Sequence, residues 1–122
     1  MIEKTIFQMI QKALKQEELL KALPLKTYAE GSDATPYLLY DVHSGTEQSL
    51  DFSIHIVSAY KGLAEVLSLK LALVELLEKG IKGIGKQEIS FKFKDAQLKT
   101  HSQSNTQSLG LHFRGIIFTR GE

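Results

Sequence analysis

The sequence predicts an α+β fold: a mainly antiparallel four-stranded sheet with two α-helices packed on one face, in the order αββαββ. Three observations carry that prediction. Leu50, Phe52, Ile54 and Ile56 alternate with Asp51, Ser53, His55 and Val57, the period of a strand in a layered sheet. Apolar residues spaced by threes and fours run through residues 2–22. A second stretch with the same helical period, dense in leucine, covers residues 61–79.

The first helix is set by Ile2, Ile6, Phe7, Met9, Ile10, Ala13 and Leu14, with Leu19, Leu20 and Leu23 continuing the stripe. Glu17 and Lys21 stand four apart, a helical pairing worth about 0.2–0.5 kcal/mol. Pro24 stops the helix and disfavours helical geometry at Leu23. Residues 29–36 read as a loop, with turn chemistry from Gly31 to Asp33. Pro36 has no N–H for a ladder and suits the start of a strand, which runs from Tyr37 to His43. Tyr37 and Tyr40 fall on opposite faces of it, so one is expected in the core and the other exposed or at an interface. Ser44, Gly45 and Thr46 then turn the chain into the alternating run, giving an antiparallel hairpin.

In the second helix Leu63, Val66, Leu67, Leu69, Leu71, Leu73, Leu76 and Leu77 occupy most of the circumference. The polar stripe of Lys61, Glu65, Ser68, Glu75 and Lys79 is narrow, so burial on several sides is expected, in the core or against a partner subunit. Ser58 is placed to cap the helix start, and Gly80 to cap its end. Residues 80–85 read as a flexible connector. Ile89, Phe91 and Phe93 alternate with Ser90, Lys92 and Lys94 in a third strand that continues through Leu98. Residues 100–108 are polar and read as structureless. The last strand spans residues 109–119, with a bulge expected at Gly115.

A length of 122 residues corresponds to about one domain, with enough chain for a core without staples. With 15 basic and 14 acidic residues the net charge is +1, which argues against a dedicated nucleic-acid binder. The absence of cysteine excludes disulfides, thiolate chemistry and Cys-based zinc sites. No run of apolar residues is long enough to span a membrane, and the charged N-terminal segment lacks the apolar core of a signal peptide. The expected compartment is the cytosol.

The candidates for chemistry are weak. His43, His55, His101 and His112 form no ligand-spaced pair. His55 as a base oriented by Asp51 fails on distance, because four residues along a strand is about 13 Å. Gly80, Gly83, Gly85 and Lys86 resemble a phosphate loop but lie between a helix and a strand, the reverse of the P-loop order. Ser58 has no partner base. Lys82, Lys86, Lys92, Lys94 and Lys99 make a basic segment that could touch passing nucleic acid; alternating lysine on an edge strand is also a guard against edge pairing. No catalytic residue, metal or cofactor is expected.

The run Thr35-Pro36-Tyr37-Leu38-Leu39-Tyr40, the strand Leu50 to Ser58, Gly62 before a leucine-rich helix, and Phe113-Arg114-Gly115-Ile116 near the end are four short motifs in fixed order. Together they resemble the tail-completion or tail-terminator (minor tail) proteins of long-tailed phages, with their prophage and gene-transfer-agent relatives. The likeness covers nearly the whole chain. It departs at Val57, where an aromatic often precedes the Ser, and in a short first loop. The resemblance implies a non-enzymatic subunit that forms a ring, typically a hexamer, on the end of the tail tube. Such a subunit stops tube growth and faces the head connector, sits in the virion tail and assembles in the host cytoplasm. Implied partners are copies of itself, the tail-tube protein and the head–tail connector, with non-specific contact with passing DNA and no membrane. Candidate interface residues are Leu69 and Leu73 on the second helix, Lys92 and Lys94 on the third strand, and Ser104 and Asn105 in the polar loop. A head-closure or neck connector of the same junction is the alternative. A small-molecule-binding or enzymatic α+β domain would require a deep pocket with convergent polar groups.

Overall fold

Alternation along each strand decides which side chains meet the helices. In the computed structural model, which describes residues 2–27, 36–59, 63–82, 87–101 and 106–119, the elements are α1 (Ile2–Leu14), β1 (Leu25–Lys26), β2 (Tyr37–Gly45), β3 (Ser49–Ala59), α2 (Leu63–Glu78), β4 (Ile81–Lys82), β5 (Gln87–His101) and β6 (Thr106–Thr119). The strands form one sheet in the order β1-β2-β3-β6-β5-β4. The four long strands are antiparallel to their neighbours, and β1 joins β2 in parallel. The αββαββ order and the helix-on-sheet layering are those expected from the sequence, with the short β1 and β4 added at the flanks.

One face of the sheet carries Leu38, Tyr40, Leu50, Phe52, Ile54, Ile56, Leu109, Leu111, Phe113, Ile89 and Phe91, all buried. Ile6, Ile10 and Leu14 of α1 and Val66, Leu69, Leu73 and Leu77 of α2 close onto that face. Aromatic rings make a continuous band across it. Phe7 meets Tyr40 edge-on at 5.2 Å, Tyr40 meets Phe52 at 5.3 Å, Phe52 stacks on Phe113 at 5.7 Å, and Phe113 meets Phe93 at 5.5 Å. Such pairs contribute about 0.5–1.5 kcal/mol each beyond the area they bury.

Several sequence expectations are corrected. The first helix ends at Leu14, not at residue 22. Lys15, Gln16, Glu17 and Glu18 interrupt the stripe, and the chain continues in turns closed by bonds such as Gln16 N–H to Ala13 O (3.1 Å) and Leu20 N–H to Glu17 O (3.0 Å). These turns point Leu20 into the core, and Lys21 pairs with Glu18 (3.1 Å) rather than with Glu17. Tyr37 and Tyr40 are both buried, although they face opposite ways, and Lys26 lies 5.3 Å above the Tyr37 ring. The first hairpin turns at 46–48, where Thr46 Oγ1 accepts the Ser49 N–H (3.1 Å), and β2 extends to Gly45. Gly115 sits in regular ladder pairing with Leu50 and Phe91, and the bulges lie at His43 and Lys94. A Cβ at residue 115 would meet Phe91 at 3.2 Å and Ile6 at 3.3 Å, so glycine here gives α1 room to approach the sheet.

The described residues of the segment 100–108 are strand. Thr100 pairs with Gln107 and His101 with Thr106, extending a long β5–β6 hairpin. Ile81 and Lys82 of the expected connector form β4. Gly80 caps α2 as expected, at φ +79°, with its N–H bonded to Leu77 O (2.9 Å). Ser58 donates to the Glu65 carboxylate (2.8 Å), tying the end of β3 to the first turn of α2 through a side chain rather than the helix backbone. The turn at Gly31–Asp33, the glycines Gly83 and Gly85, and Ser104 and Asn105 lie outside the described residues.

The burial of α2 makes a direct prediction. Leu73 is 0% exposed and Leu71 is 63% exposed. Leu73→Ala should cost about 2–5 kcal/mol in urea unfolding, and Leu71→Ala should stay within about 0.5 kcal/mol. Equal costs would contradict this orientation of the helix.

Candidate functional site

The helices cover one face of the sheet, and the other carries the polar half of each alternating strand. Across the four long strands these residues align in rows. Lys92, Arg114, Asp51 and Ser44 form one row, and Asp95, His112, Ser53 and Asp41 the next. Gln97, Gly110, His55 and Leu39 make the third, and Lys99, Ser108, Val57 and Tyr37 the fourth.

Each row has its own chemistry. In the first, Arg114 grips Asp51 with a two-pronged bond, Nε to Oδ1 at 2.8 Å and Nη2 to Oδ2 at 3.3 Å, and Ser44 adds a hydroxyl at 3.3 Å. The Arg114 hydrogen bond, opposed by desolvation, holds the Asp51 carboxyl below the usual carboxylate range. In the second, the bulge in β2 brings His43 Nε2 within 2.6 Å of Ser53 Oγ, and the His43 ring lies 5.2 Å from that of His112. His112 Nδ1 is 3.9 Å from Asp95. In the third, burial pushes the His55 imidazole down, Lys99 and His43 push the same way, and Asp41 opposes them. Gly110 lets the ring lie flat on β6: a Cβ there would fall 2.9 Å from His55 Nδ1.

The Ser53–His43 pair has the hydrogen-bond distance of a nucleophile and base, and sequence reasoning missed it because the bulge that brings His43 to Ser53 has no mark in the sequence. Ser53 is buried, and among the described residues no carboxylate is bonded to His43 to orient it. Asp51 is committed to Arg114, so it does not orient His55 either. Among the described residues no group of three or more His, Asp or Glu side chains could hold a metal ion.

The interface candidates separate. Leu69 and Leu73 lie in the chain's own core, 7% and 0% exposed. The leucines of α2 that do face outward are Leu63, Leu67 and Leu71, spaced by four. Lys92 and Lys94 are exposed on β5. Leu98 of β5 and Val42 of β2 add exposed apolar surface near opposite edges of the sheet. A groove between α1 and β2 is lined by Lys4, Phe7, Thr27, Tyr40, Asp41 and Val42.

No protein-family model and no curated protein matches this sequence. Among solved structures the chain is similar to one from the "Virion of native gene transfer agent (GTA) particle", with a TM-score of 0.73 at 15% identity, covering 95% of this chain and 96% of that one. A second solved chain aligns with a TM-score of 0.55 at 11% identity over 99% of this chain and 96% of its own. At these identities the likeness is one of fold.

Two predictions concern His55. Its folded imidazole resists protonation more than the unfolded one, so stability is highest above the ordinary value of 6.5 and falls as pH drops below it. His55→Gln should flatten that fall in urea midpoints measured between pH 7.5 and 5, and an unchanged profile would contradict the assignment. Gly110→Ala should cost about 1–3 kcal/mol by overpacking, and most of that loss should vanish in a His55→Ala background.

Proposed function

We propose that this chain is a non-enzymatic structural subunit of a phage-type particle, and that within it the chain forms a ring, with a hexamer favoured, that terminates the tail tube and joins it to the head connector. The observation that carries the reading is the fold likeness to a gene-transfer-agent virion chain, which extends over almost the full length of both chains. The order of the four sequence motifs points to the same class of protein independently. In this reading the tail-tube protein and the connector are the partners, and the place of action is the virion tail after assembly in the host cytoplasm. Lys92 and Lys94 present positive charge to neighbours or to passing DNA, and Ser104 and Asn105 of the polar stretch 100–108 are the further residues assigned to subunit contacts in this reading.

The outward leucines of α2 agree with a subunit rather than an isolated monomer, because association removes them from water. Purified chain mixed with purified tail-tube protein should be retained by it and should halt tube growth. Retention by the head-side adaptor alone would replace the terminator with a neck connector. Retention by neither, with a monomeric mass at high concentration, would overturn the structural reading.

A further inference from the structure

Among the described residues the two flanks of the sheet are open, and they are unlike. Among the described residues, β4 pairs only with Glu88 and Ile89 of β5, so the outer edge of β5 from Lys92 to Thr100 has no partner strand. On the other flank β1 pairs only with Leu38 and Leu39, which leaves the outer edge of β2 from Asp41 to Gly45 unpaired. An open edge is a template for another strand, and natural proteins usually blunt or cover it.

Three features say what covers these edges. The first is direction. Three antiparallel steps separate β2 from β5, so the two edge strands run opposite ways. Copies related by rotation about an axis along the strands would therefore set β5 of one against β2 of the next in antiparallel pairing. The second is charge. The β5 edge carries Lys92, Lys94 and Lys99 against one acid, Asp95, whereas the β2 edge and its turn carry Asp41 and Glu47 and no lysine or arginine. Pairing β5 with a second β5 would oppose lysine to lysine, which is destabilising. The third is shape. Leu98 lies on the helix side of β5, opposite Leu109, and is exposed. Val42 lies on the helix side of β2, opposite Phe52, beside the groove floored by Phe7 and Tyr40.

We infer that copies of this chain join head to tail by continuing the sheet, the β5 edge of one pairing with the β2 edge of the next, with Leu98 set against Val42 and its groove. The inference rests on the ring-forming reading above and names the surfaces that make the ring. A heterologous contact of this kind closes into a ring when its rotation closes.

Charge reversal at exposed positions tests it. Lys94→Glu/Lys99→Glu and Asp41→Lys/Glu47→Lys leave the core and the Arg114–Asp51 pair untouched. Each double variant should weaken self-association by about tenfold or more in sedimentation equilibrium. The chain carrying all four changes should recover most of it, and circular dichroism should report the wild-type fold throughout. A wild-type oligomer that neither double variant weakens overturns the inference and leaves the ring reading standing. So does an oligomer broken by Leu67→Glu/Leu71→Glu but by neither edge variant. A wild type that stays monomeric at high concentration overturns both.

Discussion

The β3–β6 ladder is the constraint on which the other elements depend. It pairs Ser49 through Ala59 with Ile116 through Thr106 without a break in register. The strands are joined by no hairpin; α2, β4 and β5 lie between them in the chain. What holds the register is side-chain chemistry on both faces. On the helix face Phe52 stacks on Phe113 and Ile54 opposes Leu111; on the other Asp51 opposes Arg114. A slip of one residue would exchange these faces, placing Phe113 in water and Arg114 under the helices. The irregularities fall outside this spine. Both bulges are in the flanking strands, β2 at His43 and β5 at Lys94. A bulge disrupts the ladder locally, and here both disruptions are kept out of the central pair.

The helices sit where the spine allows them. The glycine at 115 opens a notch opposite Leu50, and Ile6 of α1 lies over it. Lys70 of α2 extends over the Phe93 ring at 5.7 Å, where the aromatic band reaches β5. Among the described residues no helix covers the opposite face, yet that face is not simply solvated. Tyr37, Ser53 and Val57 are buried there. Its charges are neutralised in place, as in the Asp51–Arg114 pair, rather than converging on one point.

Much of the fold was legible because its strands turn an apolar face to the helices and a more polar face away from them. The run from Leu50 to Val57 and the run from Ile89 to Phe93 show a period of two for that reason. Residues 99–101 and 106–108 do not, since polar side chains occupy both faces of the ladder there, and their pairing follows from its continuation. The end of α1 was misplaced because Leu19, Leu20 and Leu23 keep helical spacing past the point where the backbone tightens into turns. The orientation of α2 was hidden by its composition. When leucine occupies nearly every direction around a helix, spacing alone cannot tell the sheet-facing stripe of Val66, Leu69, Leu73 and Leu77 from the outer stripe of Leu63, Leu67 and Leu71. The Ser53–His43 contact depends on a bulge between two residues of ordinary strand character, and only three-dimensional register reveals it.

The outer leucines separate what folds the chain from what it can join. The core is complete without them: both helices are anchored through other residues, and the aromatic band runs unbroken from α1 to β5. Burying a leucine is worth about 1.5–3 kcal/mol. For Leu63, Leu67 and Leu71 the intact monomer collects only part of that energy, because they remain 49%, 52% and 63% exposed. The rest is available to association, against the cost of lost rotational and translational freedom. The same holds for Leu98 and Val42 at the two flanks. Because those flanks differ in charge, in strand direction and in relief, a contact joining one to the other is heterologous, and repeating such a contact builds an assembly of many copies rather than a closed pair.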